Sequence, residues 1–410
     1  IGIAYAQAGD DRLLSVAQQQ KRLLLSPEGL QVAQALAANK AKPFDYRPML
    51  LRDGPDGERG GLAILRMGGE RGQALVQKDT MQGMGHGHFD KLNWLFYDNG
   101  NAVVTDYGAA RFLNVEAKRG GIYLAENRSW AKQTVAHNTL VVNEQSHFKG
   151  DWKRGEELAP QVRFFQADAD TQIASATMRD AYPGVVFTRT QALLRHPELG
   201  LPVVLDLLQV HGDKAARYDL PLHFNGHIVT TGFEAEHFPT QRPVLGSDNG
   251  YQHLWLDARS KAGSEPRTLA WLLDGRFYTY RFGSSAPAQA LLVESGANDP
   301  EFNLRREPAL LQRVEGQKDV TFFSVLEPHG EYNGTAEYVH GADSRIKQII
   351  RTRGNDAEVL ELRLASGARI ALGVADDSEA KGEHSVTVDG HAYRWSGSHA
   401  RMDRGKGDVR

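Results

Sequence analysis

Apolar residues recur along this chain with two different periods. Up to about residue 40 they keep helical spacing: Ser26 stands as an N-cap, Pro27 takes the first helical position, and Leu30, Val32, Ala33, Leu36 and Ala37 repeat behind them. Residues 1 to about 40 are therefore expected to form two helices. Two short helices cannot bury all their faces on each other, so they need further partners. After the Pro/Gly/Asp-rich segment RDGPDGERGG (52–61) the period falls to two. LAILRM and QALVQKD flank Gly68-Gly69, and LNWLFY and AVVTDYG flank Asp98-Asn99-Gly100, which predicts two β-hairpins. Beyond them nearly every apolar run is short and bounded by turn residues, among them VVFTRTQALL, LPVVLDLLQVH, VTFFSVLE and HSVTVDGHAYRW. That spacing predicts a mainly β protein, a large antiparallel β-sandwich of stacked sheets, and not βαβ units. The expected division is a helical segment at 1–45, a linker at 46–61 and a β domain at 62–410.

Composition narrows the chemistry. Of 410 residues 41% are hydrophobic, enough for a sizeable core, and 48 basic residues against 51 acidic ones leave a net charge of −3. Nothing in that balance attracts nucleic acid or an anionic membrane, and no apolar run is long enough to span a bilayer. The chain has no cysteine, which excludes thiolate nucleophiles, Cys-bound metals and disulfides. It opens on IGIAYAQAGD, without an initiator Met and directly in helix-like sequence, as a cut or trimmed product would.

Candidate chemistry gathers between residues 85 and 137. In extended chain His86 and His88 would share a face. Asp106 closes the next strand and His137 opens another, and two imidazoles with a carboxylate suit Zn²⁺, leaving a fourth place for water or another group. One difficulty is geometric. A plain hairpin through Asp98-Asn99-Gly100 sets Asp106 opposite Asn93, with His88 about 16 Å further along at the usual strand rise. A shared ion needs a bend, for which Gly85, Gly87 and Gly108 are available. Ordinary buried histidines are the competing reading.

Between Asp106 and His137 lie Arg111, Lys118, Arg119, Arg128 and Lys132 against Glu116 and Glu126, a local positive excess that the whole chain lacks. Gly120-Gly121 precedes Tyr123 and allows a backbone path that puts its phenol in a cleft. Tyrosine, imidazole and guanidinium groups without an opposed carboxylate pair suit proton abstraction beside an acidic sugar's carboxylate better than glycoside hydrolysis. The blander reading makes Tyr123 a half-buried loop aromatic and the arginines a solvated face. His223 and His227 in DLPLHFNGHI are more readily buried or surface residues than parts of a site.

The composite HGHFDKLNW…TDYGAARFLNVEAKRGGIYLAENRSWAKQTVAHNTLVVN closely resembles the oligoalginate lyases of polysaccharide lyase family seventeen, within the heparinase II/III-like superfamily. Motifs and intervals match over residues 60 to 145. The resemblance implies an N-terminal α/α toroid, of which residues 1 to about 40 would be the last helices, followed by an antiparallel β-sheet domain. It implies a structural zinc ion on His88, Asp106 and His137, a catalytic tyrosine at Tyr123, and His86 and Arg111 facing the substrate's uronate groups, with the acid and base roles falling to Tyr123 and His86. Arg119 and Arg128, close to Tyr123 in sequence, are candidates to hold substrate and to depress the phenol's pKa. The reaction implied is β-elimination on 4-linked uronates, with end-wise release of an unsaturated monosaccharide from oligoalginate. The family's Asn-His pair and further tyrosine on the toroid have no counterpart here. The chain is thus expected to work with a separate N-terminal toroid fragment or to derive from a longer precursor. A homodimer is compatible, and the expected setting is the periplasm. Two rivals are a cupin-like metal enzyme, which would want a Glu shortly after the His-x-His pair, and a non-catalytic carbohydrate-binding sandwich.

Overall fold

The computed structural model describes residues 1–69, 71–83, 86–108 and 124–405. The chain divides into two compact units, one of residues 1–47 with 68–70, the other of residues 48–67 with 71–410.

Three helices make up the first unit, not two: Gly2–Ala8, Leu13–Gln20 and Pro27–Ala37. Gly9, left-handed at φ 62°, ends the first of them, where the sequence pattern ran on. Ser26 caps the third by accepting from the Gly29 backbone N–H at 3.2 Å, with Pro27 behind it as expected. Leu14, Ala17, Val32 and Ala35 form its small core, with Leu36 partly buried against it. Leu30 lies off that stripe and is exposed, as are Leu24 and Leu25.

The second unit is built of stacked antiparallel sheets. A five-stranded meander, Met49–Arg52, Gly61–Met67, Gln73–Asp79, Asn93–Asp98 and Asn101–Val104, forms one layer, and its first strand lies within the segment read as linker. A twelve-stranded sheet forms the middle, with the long strands Val203–His223 and Pro308–His329 paired to each other at its centre. A four-stranded sheet of Ile346–Arg353, Ala357–Leu364, Arg369–Ala375 and His399–Arg404 forms the third layer. The inner strands of the middle sheet are buried on both faces over much of their length, which is why VVLDLL and QALL read as nearly continuous apolar runs rather than alternating ones. Leu65, Trp94, Phe96, Leu193, Val204 and Trp271 fill one interface. Leu194, Leu205, Val325, Leu360, Leu362 and Leu372 fill the other.

The hairpin through Asn99 (φ 51°) and Gly100 (φ 83°) keeps the plain register for two pairs, Asp98 with Asn101 and Tyr97 with Ala102. A bulge at Val103 then shifts it, so that Phe96 faces Val104. From there the chain leaves the meander for the end of the central strand: Val104 bridges Phe224, and the Thr105 N–H donates to the His223 carbonyl at 3.0 Å. Asp106 follows at once, outside the hairpin.

Candidate functional site

On the other side of the hairpin, the segment before Asn93 folds back instead of extending. Leu92 takes φ 60°, its N–H donates to the Lys78 carbonyl at 3.0 Å, and the Asn93 N–H closes a turn on the Asp90 carbonyl. Gly87 is required here: a Cβ on it would lie 1.2 Å from the Gln82 carbonyl oxygen. The bend that a shared ion demands is thus made at Leu92 and the Val103 bulge, with glycine needed for close approach at 87.

His137 arrives from the opposite side on the single 3₁₀ turn Thr134–Ala136. Side chains stitch its flanks to the folded-back segment. Thr134 Oγ1 donates to the Phe89 carbonyl (2.6 Å), Thr139 Oγ1 to the Lys91 carbonyl (2.5 Å), and the Phe89 N–H to the Lys132 carbonyl (3.0 Å). Asn138 is the densest knot, fully buried. Its N–H donates to Asn93 Oδ1 at 2.9 Å, its Nδ2 to the Trp94 and Thr105 carbonyls at 2.9 and 2.8 Å, and its Oδ1 accepts from the His223 N–H at 2.6 Å. Four stretches of backbone are thereby fixed around one point.

At that point His88, Asp90, Asp106 and His137 each offer a ligand atom within 4.8 Å of the others. His88, Asp106 and His137 were expected together; Asp90 was not. Two imidazoles and two carboxylates form a donor set of the kind Zn²⁺ takes, and a tetrahedral ion with bonds of about 2 Å would need only a modest contraction. The charge states suit it as well. Burial, helped by the charge of His137, lowers the His88 pKa to about 4, so that ring is neutral at pH 7 and free to coordinate. Burial alone would raise Asp106, but His137 beside it outweighs that and holds the carboxylate well below its usual range. His137 Nε2 lies 3.0 Å from the Ala131 carbonyl and Nδ1 2.7 Å from Asp106 Oδ1, so Nδ1 faces the cluster with its tautomer set from behind. Asp90, buried, pairs with Lys78 Nζ at 2.6 Å, a cation supplied by the neighbouring strand. Lys91 turns inward to the carbonyls of Thr80 and Gly155 and takes no part.

A pH dependence follows. Burial opposes the charge on His137, yet the Asp106 carboxylate wins and its pKa is raised. In metal-free protein that protonated pair contributes stability below the unfolded imidazole value, about 6.5, and the contribution fades as pH rises through the raised folded value. A metal on Nδ1 displaces the proton, so its binding is favoured by rising pH. The melting difference between metal-loaded and stripped protein is expected to widen from pH 6 to 8, by up to about 1.4 kcal/mol per pH unit for one proton. Thermal melts of both forms across that range check it, and a constant difference would exclude His137 as the proton-releasing ligand.

Of the other sequence candidates, His86 is exposed beside the cluster, its N–H bonded to the Gly83 carbonyl. Arg128 is exposed on the π-helical turn Asn127–Ala131. Tyr123, Arg111 and Arg119 lie outside the described residues. His223 is buried against Trp130, its Nε2 2.9 Å from the Val135 carbonyl, and burial lowers its pKa to about 4; it supports the turn that carries His137. His227 is exposed on an edge strand. A cupin-like arrangement does not fit, because residues 86–90 are not in a strand.

Residues 49–352 match the family model for the heparinase II/III-like C-terminal domain. The chain is 92% identical over 408 residues to a protein of Stenotrophomonas maltophilia named alginate lyase, and 47% identical over 401 residues to one of Saccharophagus degradans named exo-oligoalginate lyase. These alignments take in 100% and 97% of this chain but 55% and 54% of those proteins, so the chain spans about half the length of the curated relatives it matches. Among solved structures, a heparan sulfate lyase of Pedobacter heparinus superposes with a TM-score of 0.55 at 13% identity, covering 85% of this chain and 46% of that one. A heparinase III gives 0.52 at 11% identity, with coverage of 82% and 43%. At such identities the likeness speaks to the fold, here the stacked antiparallel sheets.

Proposed function

Since the chain belongs to the heparinase II/III-like C-terminal family, we propose that it is the β-sheet half of an alginate lyase that cleaves 4-linked uronate oligosaccharides by β-elimination, releasing unsaturated monosaccharide from the chain end. The observation that carries this reading is the 92% identity, across all of this chain, to a protein named alginate lyase. End-wise action rests on the relative named exo-oligoalginate lyase. The complementary half is an N-terminal toroid of the same protein, and the setting is the periplasm.

The reaction asks three things of the protein. The C6 carboxylate must be neutralised so that the C5 proton becomes acidic, a base must take that proton, and an acid must protonate O4. The electron pair of the C5–H bond then forms the C4–C5 double bond while C4–O4 breaks. Neutralisation falls mainly to the Asn-His pair of the toroid, helped by Arg111 and by the exposed imidazole of His86, and these groups stabilise the charge that grows on the carboxylate in the enolate-like transition state. Tyr123 exchanges the proton, together with a tyrosine of the toroid. A phenol titrates near 10 unperturbed, so Tyr123 needs cations such as Arg119 and Arg128 to work as a base near neutrality.

Zinc on His88, Asp106 and His137 supplies structure, with Asp90 and its Lys78 partner completing the charge balance of the site. Bound there, the ion joins the folded-back segment, the end of the hairpin and the His137 turn, and its binding free energy adds to folding. Replacing His88 by alanine is expected to weaken metal binding by about a hundredfold or more and to lower the melting temperature together with metal content. Unchanged occupancy and melting, by elemental assay and calorimetry, would remove His88 from the ligand set.

The lyase reading is tested by incubating the full-length protein with size-defined oligomannuronate and oligoguluronate. Ultraviolet absorbance should appear from the first turnover, with a monosaccharide and an oligomer one residue shorter as the early products. Absence of any unsaturated product from both series would overturn the function, and early products of intermediate size would overturn the end-wise mode.

A further inference from the structure

The loop Gly296–Arg306 is bound to the turn that follows the tyrosine-bearing segment. Asn303 Nδ2 donates to Glu126 Oε2 at 3.1 Å. His253 lies between them, its Nδ1 2.8 Å from the Ala297 carbonyl and its Nε2 2.8 Å from Ser129 Oγ, while Asn298 Nδ2 donates to the Gln252 carbonyl. Within the loop the Asp299 carboxylate accepts from the backbone N–H groups of Asn303 (3.0 Å) and Leu304 (2.7 Å). This rigid turn holds Phe302 at φ 54° and leaves it 62% exposed. A bulky aromatic residue is rarely left-handed, and it stays so only where its surroundings over-determine it.

The two arginines that end the loop part company. Arg305 is spent on the fold: its guanidinium lies 4.3 Å from the Tyr107 ring, donates to the Tyr107 carbonyl and pairs with Glu307 at 2.7 Å. Arg306 lies 4.9 Å from the Trp255 ring and 6.0 Å from the Phe302 ring. Trp255 also carries Arg242, but Arg242 is neutralised by Asp257 at 2.6 Å and Glu294 at 2.5 Å. Arg306 enters no ion pair among the described residues, although it is exposed and its guanidinium is held by stacking on these rings.

The geometry points to an outlying sugar subsite: Phe302 offers a face for a pyranose ring and Arg306 a guanidinium fork for its C6 carboxylate, on a uronate beyond those joined at the scissile bond. The assignment rests on the lyase reading for its ligand class, a 4-linked uronate chain. A cation that the Trp255 and Phe302 rings hold in place, and that enters no ion pair among the described residues, recognises a repeated carboxylate at small entropic cost, because the fork is already ordered.

The test uses the full-length protein and oligomannuronates from trisaccharide to hexasaccharide. R306Q is expected to raise KM for the longest substrate about tenfold while leaving kcat, and KM for the trisaccharide, as in wild type. F302A is expected to act in the same direction by about threefold, and R306K, which keeps the charge without the fork, to fall between R306Q and wild type. A hexasaccharide KM within twofold of wild type in R306Q overturns the subsite. Should wild type release no unsaturated product at any length, the lyase reading falls and titration calorimetry with the hexasaccharide decides the subsite separately. A tenfold loss of affinity in R306Q then sustains it, and unchanged affinity, or no binding by wild type, overturns it.

Discussion

Replacing Tyr123 by phenylalanine in the full-length protein is expected to lower kcat on oligoalginate by about 10²–10⁴, the usual worth of a positioned proton-transfer group. The substitution removes one oxygen and keeps the ring, so KM, melting temperature and metal content should stay near wild type. The loss should be no smaller at high pH, since phenylalanine cannot ionise at any pH. On the proposed mechanism cations depress the phenol's pKa, and the sequence holds Arg119 upstream and the exposed Arg128 just downstream. Initial rates of unsaturated-product formation across pH check the prediction. A variant within about threefold of wild type would take Tyr123 out of the chemistry and shift the proton transfers to His86 and the toroid.

The fold class was legible from period alone, because strands and turns write themselves locally. The Asp98–Gly100 hairpin kept its inferred register for two pairs. It failed at the Val103 bulge, beyond which Val104 still faces Phe96 but also bridges Phe224, distant in sequence and selected by sheet stacking. That departure, with the fold-back at Leu92, brings Asp106 and His88 into one cluster, so the 16 Å obstacle posed by a straight hairpin reflects an assumption of local pairing. Asp90 left a readable trace, since His86, His88 and Asp90 alternate, but an acid two residues on also reads as a surface turn. Its burial depends on Lys78 from another strand. Asn138 left none: an asparagine in AHNTLVVN looks like a loop residue until the four backbone segments it joins are assembled. Helical patterning was least reliable, since Gly9 broke one expected helix into two and Leu30 fell outside the buried stripe.

The same knot gives the largest expected effect on stability. Arg189 and Asp206 form a diagonal ion pair between adjacent strands of the middle sheet, both buried, with Nε and Nη2 each 2.7 Å from a carboxylate oxygen. Nη1 donates to the carbonyls of Leu92 (2.9 Å) and Asn138 (2.5 Å), the residues where the chain folds back before the hairpin and where it leaves His137. Arg189→Met would fill much of the volume but strand an ionised carboxylate and two carbonyls in the core. The expected cost is about 3–5 kcal/mol, read as a shift in the denaturant midpoint of the β unit. Metal affinity should fall with it, since both carbonyls flank cluster ligands. Adding Asp206→Leu removes the stranded charge and should recover much of the stability, whereas metal affinity should stay low because the Leu92 and Asn138 carbonyls are still unheld. A single variant that loses less than about 1 kcal/mol would mean that water reaches Asp206, and that the cluster is positioned by Asn138 alone.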